Sequence, residues 1–246
     1  MSEENKDEKA LTAWNTVMRA ALSIPGAKIH REAFIFSNFS KYVSREILDD
    51  AVKNGTGSAG ISIEIMDKAA DGVIKFHTMA VTAISAAAGV PGVFAMIGTI
   101  PGDIAQFYYQ TIQVAQKLAY IYGWGDLGEE EVSDEYIMLI TLFLGVMSGA
   151  KTANTAITQM AGKFAAEIAK RLPKQALTKY GLYNVAKQVA KWMGVSLTKV
   201  TLSRGLSKII PLIGGLISGA VSFASFLPMA LKLKKHLRDL PIARGN

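Results

Sequence analysis

The feature that most constrains this chain of 246 residues is an apolar run of about 23 residues without a charge, from Ile209 to Leu231. A helix of about 20 apolar residues spans the bilayer core, so a run of this length is long enough to cross a membrane. Pro211 and Pro228 interrupt the run and leave about 16 residues between them. The segment is therefore borderline between a spanning helix, a shallow hairpin and a buried core helix.

Two other segments lack charges, Thr78–Gly102 and Tyr136–Ala150. The first is broken at Gly89-Val-Pro91-Gly92, and the second has about 15 residues, so both are short for a membrane span. Each of the three segments contains a pair of glycines four residues apart: Gly98 and Gly102, Gly145 and Gly149, and Gly215 and Gly219. This spacing predicts a close helix contact, either in a membrane or in a soluble core.

A length of 246 residues fits one large domain or two small ones, with enough chain to bury a substantial core. Half of the residues are hydrophobic, the mean hydropathy is +0.24, and there is no cysteine for a disulfide or a thiolate metal site. The first ten residues are polar and acidic, unlike a secretory signal, which predicts a cytoplasmic protein. We predict an N-terminal amphipathic helix and linker at 1–27, a single helical domain at 28–240 and a tail at 241–246.

Helical periodicity extends along most of the chain, and no region alternates with period two for long enough to predict a sheet. The fold class predicted is all-α, a compact multi-helix bundle with apolar, glycine-rich helices or hairpins. The predicted helices are Lys9–Ser23, Arg31–Lys53, Ile61–Ala88, Pro101–Tyr122, one that ends at Ala150 after an acidic N-terminus, and Lys174–Gly194.

Charge is divided along the chain. Residues 1–135 hold 18 acids and 11 bases, whereas residues 136–246 hold two acids and 16 bases. This asymmetry predicts an anionic partner, which is a phospholipid surface, nucleic acid or the acidic half itself. Few aromatic residues accompany the bases and no nucleic-acid motif is present, which argues against nucleic acid. The candidate contacts to an anionic surface are Lys187, Lys191, Lys232, Lys234, Lys235 and Arg238.

Catalytic and cofactor motifs are weak. His30, His77 and His236 lie far apart, without a spacing typical of metal ligation, and His77 at the end of an apolar helix is ordinary. The glycines at 55, 57 and 60 match a dinucleotide pattern, but no predicted strand precedes them. The sequence therefore predicts no catalytic residue, no metal and no cofactor.

One polar stripe remains as a candidate site. Its residues are spaced by three or four along the helix after Pro101: Asp103, Gln106, Gln110, Gln113 and Lys117. The stripe either lines a polar pocket or contacts headgroups, or it is the water-facing side of an amphipathic helix. In the last case Asp103 favours the positive helix N-terminus.

One element of the chain begins at Pro101-Gly-Asp103-Ile-Ala-Gln106 and ends at Tyr122-Gly123, with Asp126 after it. It resembles the first of two recurrent elements of the EcsC protein family. The second is Lys208-x-x-Pro211-x-x-Gly214-x-x-x-x-Gly219, although Ser222 stands where many relatives have asparagine. The resemblance covers about residues 30–238.

The resemblance implies a hydrophobic helical protein at or near the inner face of the cytoplasmic membrane, and it transfers no catalytic residues. We predict a non-enzymatic, membrane-associated protein that binds lipid, or a membrane protein such as a transporter, through its apolar and basic C-terminal half. Two alternatives stay open. One is a membrane-inserting or pore-forming protein with a buried apolar hairpin, and the other is a lipid-acting enzyme with a site near Asp103.

Overall fold

The structure is a computed structural model that describes residues 3–87, 96–97, 100–127, 132–170, 182–203 and 219–245. Side chains are described for residues 3–83, 104–127, 132–162, 182–195 and 224–245. Lys208, Pro211, Gly214 and Gly215 lie outside the described residues, as does the first part of the apolar run, 209–218.

The described part of the chain is helical, which confirms the all-α prediction. Its helices are α1 (Glu3–Ser23), α2 (Arg31–Phe39), α3 (Arg45–Asn54), α4 (Ile63–Ala87), α5 (Gly102–Ile121), α6 (Asp134–Ser148), α7 (Lys151–Lys170), α8 (Leu182–Ser203), α9 (Gly219–Arg238) and a 3-10 helix at Pro241–Arg244. The strands described are two residues each, β1 (Met96–Ile97) and β2 (Ile100–Pro101), paired antiparallel. They do not form a structural layer.

Local sequence explains the boundaries of α6. The Ser133 side chain accepts a hydrogen bond from the backbone N–H of Tyr136 at 3.1 Å, and Asp134 and Glu135 occupy the first turn, where the helix dipole favours acids. Gly149 ends the helix with a φ of 86°, the left-handed conformation that glycine adopts without a Cβ clash. All three signals lie within one turn of the helix boundary that they define.

Three predicted helices differ from the structure, and the first of them, predicted from Lys9, begins at Glu3. The region predicted as one helix from Arg31 to Lys53 forms α2 and α3, because Ser44 is extended at an N-cap position and starts a new helix. The helix predicted to end at Gly194 continues as α8 to Ser203. A Cβ atom at Gly194 would overlap the carbonyl of Ala10 on α1, so this glycine provides a close helix contact and not a helix end.

Helices α5 and α6 form the centre of the core. Twelve consecutive residues of α6, from Tyr136 to Met147, are buried, so the uncharged segment Tyr136–Ala150 is a core helix. Trp14 of α1 packs edge-on against Tyr108 of α5, with 5.2 Å between ring centroids. None of the described helices is both long enough and apolar enough to cross a bilayer.

The glycine pair of α6 serves two purposes. A Cβ atom at Gly145 would lie 2.7 Å from Cβ of Ala153 on α7 and 2.7 Å from Cγ1 of Val189 on α8, so Gly145 permits the predicted close contact. Gly149 is instead the C-cap of α6. Of the two glycines, Gly145 is therefore needed for helix packing and Gly149 for the backbone conformation at the helix end.

Both ends of the described chain join the common core. The indole Nε1 of Trp14 donates a 2.9 Å hydrogen bond to Oγ1 of Thr141, which fixes α1 against α6. At the other end Ile242 and Ala243 are buried, and the carbonyl of Ile242 approaches the backbone of both Gly57 and Gly123. The segments predicted as an N-terminal unit and a tail therefore pack with the central helices in one hydrophobic cluster.

Candidate functional site

The polar stripe of α5 does not face water over its described length. Gln106, Gln110 and Gln113 are buried, and Lys117 is partly buried. Asp103 lies in the first turn of α5, and its side chain is outside the described part. A buried amide is costly unless it is hydrogen-bonded, so the partners of each glutamine define what the stripe does.

One glutamine of the stripe, Gln113, and the neighbouring Gln116 hold the loop between α1 and α2. Gln113 donates a 2.6 Å hydrogen bond to the carbonyl of Gly26. Gln116 donates at 2.7 Å to the carbonyl of Ala27 and accepts from the backbone N–H of Ile29 at 3.1 Å. These bonds position a loop that lines an open groove together with Asp126. The role of these two amides is structural.

The second part of the stripe converges on a buried histidine of α4. His77, which is 1% exposed, places Nδ1 2.6 Å from Oε1 of Gln110 and Nε2 2.8 Å from Nζ of Lys117. An amide oxygen only accepts, so Nδ1 carries the proton and donates, and Nε2 accepts from the lysine. The three side chains form a connected row, Lys117–His77–Gln110.

Burial tunes both titratable members of this row. Desolvation, followed by the charge of Lys117, lowers the pKa of His77 to about 4, against an ordinary value of 6.5. Desolvation also lowers the pKa of Lys117. The imidazole is therefore neutral at neutral pH, and the amine loses its proton more readily than a solvated lysine.

Two polar atoms beside this row have no hydrogen-bond partner within the described residues, Oε1 of Gln106 and Oγ1 of Thr78. Thr78 follows His77 directly, and Gln106 lies one turn before Gln110 on α5. The row also reaches the surface, because Lys117 lies 5.8 Å from the ring centroid of Phe76, a residue that is 64% exposed.

Two positions of the EcsC-like pattern, Tyr122 and Gly123, have structural roles. The Tyr122 hydroxyl donates to Asp67 at 2.8 Å, and burial raises the pKa of this tyrosine. Gly123 has a φ of 92° and lies against the carbonyl of Ile242, so it meets both a conformational and a steric requirement for glycine. Gly219 is the first described residue of α9.

Half of the candidate anionic-surface contacts form ion pairs with carboxylates of the same chain. Lys191 pairs with Asp7 at 2.9 Å, Lys234 with Asp71 at 2.6 Å, and Arg238 with Asp67 at 2.8 Å. Each pair joins the basic half of the chain to the acidic half, which is one of the three partners that the charge asymmetry predicted. Of the candidates, Lys187, Lys232 and Lys235 form no ion pair with a described carboxylate.

The sequence did not identify His77 as part of this cluster. The signal that it offers is indirect, because α4 and α5 flank the break at residues 89–92 and such consecutive helices often pack side by side. The register that places His77 opposite Gln110 depends on packing that no local pattern records. Within the described residues, no group of three or more histidines, cysteines or carboxylates is arranged to hold a metal ion.

Comparison of this chain with protein-family models, with curated proteins and with solved structures found no match.

Proposed function

We propose that this chain is a membrane-associated helical protein. It binds either an anionic lipid surface or a membrane protein such as a transporter. The observation that carries the proposal is the exposure of Phe76 and Met79, which are 64% and 61% exposed on α4. Large apolar side chains exposed together on one face of a helix are typical of an interaction surface.

The pairing of α4 with α9 places these residues at an uncharged end. Asp67 binds Arg238 and Asp71 binds Lys234, so the two helices run antiparallel. One turn further along, Phe76 comes level with Leu231, which is 45% exposed. From this level onward neither helix carries a charge, since α4 continues to Ala87 without one and α9 has none before Leu231.

Exposed cations border the apolar end. Lys75 on α4 and Lys232 and Lys235 on α9 are all exposed and lie close in sequence to Phe76 and Leu231. An apolar surface with flanking lysines suits the membrane interface, where aromatic and aliphatic side chains enter the headgroup region and ammonium groups attract anionic lipids. We include membership of the EcsC family in this proposal, because the family resemblance also implies a place at the inner face of the cytoplasmic membrane.

The test is co-sedimentation of the full chain with vesicles of phosphatidylcholine, alone or mixed with phosphatidylglycerol. We expect binding to the mixed vesicles that weakens with salt, since lipid charge is screened within about 10 Å at 0.1 M salt. Phe76→Ser combined with Met79→Ser should reduce partitioning about tenfold or more, because two apolar side chains no longer enter the interface.

Charge-matched variants separate this surface from general attraction. Lys232→Gln with Lys235→Gln should weaken binding more than Lys41→Gln with Lys53→Gln, which removes the same charge from exposed positions elsewhere. Wild-type binding by the Phe76 and Met79 variant, or equal binding to both kinds of vesicle at every salt concentration, would contradict the proposal. Release of the vesicle-bound chain only by detergent, and not by salt, would favour the membrane-inserting alternative.

A further inference from the structure

The row Lys117–His77–Gln110 has the arrangement of an activated amine. Nζ of Lys117 lies within hydrogen-bond distance of the neutral Nε2 of His77, and Gln110 fixes the imidazole from its other side. A nucleophile beside a nitrogen acceptor that a third group orients is a recurring pattern in covalent catalysis. Because Nε2 accepts one N–H, the lone pair of a deprotonated Lys117 points away from the histidine.

Burial makes the deprotonated amine more accessible to Lys117 than to a solvated lysine. No described carboxylate forms an ion pair with Lys117, so no anion on these residues holds the ammonium form. Partial burial disfavours the charged state, as it does for other desolvated nucleophilic lysines. The amine is still reachable, because the side chain is only partly buried and the exposed ring of Phe76 lies beside it.

We propose that Lys117 is a nucleophilic lysine that forms a Schiff base with a small apolar aldehyde or ketone. His77 and Gln110 are positioning residues for this amine. The apolar class follows from Phe76, whose ring lies 5.8 Å from Nζ, and from Met79, exposed one turn further along the same helix.

The chemical step needs no oxidant or metal. The lone pair on Nζ attacks the carbonyl carbon and forms the C–N bond, while the carbonyl oxygen takes one proton from nitrogen and becomes a hydroxyl. The hydroxyl then leaves with the second nitrogen proton as water, and the C=N bond forms. The balance is one amine and one carbonyl giving one imine and one water.

The test is reductive alkylation of the full chain with hexanal and cyanoborohydride at pH 7, followed by peptide mass spectrometry. Lys235 on α9 is exposed and serves as the reference lysine in the same sample. We expect Lys117 to be modified faster than Lys235, since a lowered amine pKa increases its neutral, nucleophilic fraction. A rate at Lys117 equal to or below that at Lys235 would overturn the proposal without any variant.

Two further measurements test the chemical class and the positioning. Glyoxylate, a charged aldehyde, should show a smaller preference for Lys117 over Lys235 than hexanal does, and an equal preference would overturn the apolar class. His77→Leu should lower the pH of half-maximal modification of Lys117, because the ammonium form loses its acceptor at Nε2, whereas modification of Lys235 should not change. An unchanged pH profile at Lys117 in a folded His77→Leu variant would overturn the positioning role. Neither result depends on binding to vesicles, so this proposal and the proposed membrane association fail separately.

Discussion

Tyr122 donates a 2.8 Å hydrogen bond from its hydroxyl to Asp67, a residue 55 positions earlier in the chain. Arg238 binds the same carboxylate, with Nε 2.8 Å from Oδ2. Burial acts to raise the pKa of Asp67, but the hydrogen bonds from Arg238 and Tyr122 outweigh it and the pKa is lowered. The carboxylate therefore connects α4, the end of α5 and the C-terminal helix α9.

Tyr122→Phe should destabilise the fold by about 1–2 kcal/mol, because a buried hydroxyl that donates to a charged acceptor is lost without a change in shape. Tyr109→Phe is the matched control, since its hydroxyl makes a longer, exposed hydrogen bond of 3.3 Å to the carbonyl of Pro25. Urea unfolding measures both variants. Equal losses for the two would mean that the bond to Asp67 has no special weight.

Arg238→Gln should lower the thermal midpoint more than Arg45→Gln does. Arg238 pairs with a carboxylate that Tyr122 and Lys234 also approach, whereas Arg45 pairs with Asp49 within one exposed helix. Isolated surface pairs contribute little, and pairs within a network contribute more. Circular dichroism melts at low and high salt measure the difference, and identical melts for the two variants would argue against a network.

Gly123→Ala should destabilise the protein by about 1–3 kcal/mol or more, because a Cβ atom there would lie 2.7 Å from the carbonyl oxygen of Ile242 and φ is 92°. Gly72→Ala is the control. Gly72 lies within α4 with nothing within 4 Å of the added Cβ, so alanine should stabilise the helix by about 0.5–1 kcal/mol. Opposite signs in chemical denaturation are expected, and a stabilising Gly123→Ala would contradict this account of the C-terminal segment.

Gly145→Ala should cost about 1–3 kcal/mol through overpacking, since the added methyl would meet both Ala153 and Val189 at 2.7 Å. Val189→Ala removes the Cγ1 atom on one side of this contact. In a double-mutant cycle, Val189→Ala should therefore recover part of the loss, which gives a favourable coupling energy. Strict additivity of the two changes would show that the helices rearrange and that this contact is not rigid.

Stability should decrease as the pH falls from about 6.5 to about 4, because His77 titrates near 6.5 when unfolded and near 4 when folded. In this pH window the unfolded chain binds a proton that the folded chain does not bind. The contribution of His77 to stability is therefore complete above the window and is lost as the pH falls through it. The maximum effect is about 3 kcal/mol. His77→Gln should flatten this dependence, measured as the unfolding free energy at pH 7.5 and 5, whereas His30→Gln at an exposed position should preserve it.

Sequence alone determined the elements whose signals are local. The helical class and the acidic first turn of α6 follow from the sequence, and the Ser133 cap and the Gly149 end in the structure lie within one turn of the boundaries that they define. The uniformly apolar composition of α6 requires only that it avoid water, since a helix without a polar face has no side suited to water. These features need no knowledge of a distant partner.

Only the tertiary structure decided which polar groups are buried and what they bind. The glutamines of α5 have the spacing of a water-facing stripe, yet their partners are Gly26 and His77, 87 and 33 residues away. The cations of the basic half likewise pair with carboxylates up to 184 residues distant, as Lys191 does with Asp7. A polar side chain has the same intrinsic propensity whether water or a buried acceptor satisfies it, so its environment is set by the packing of remote helices and not by its neighbours in sequence.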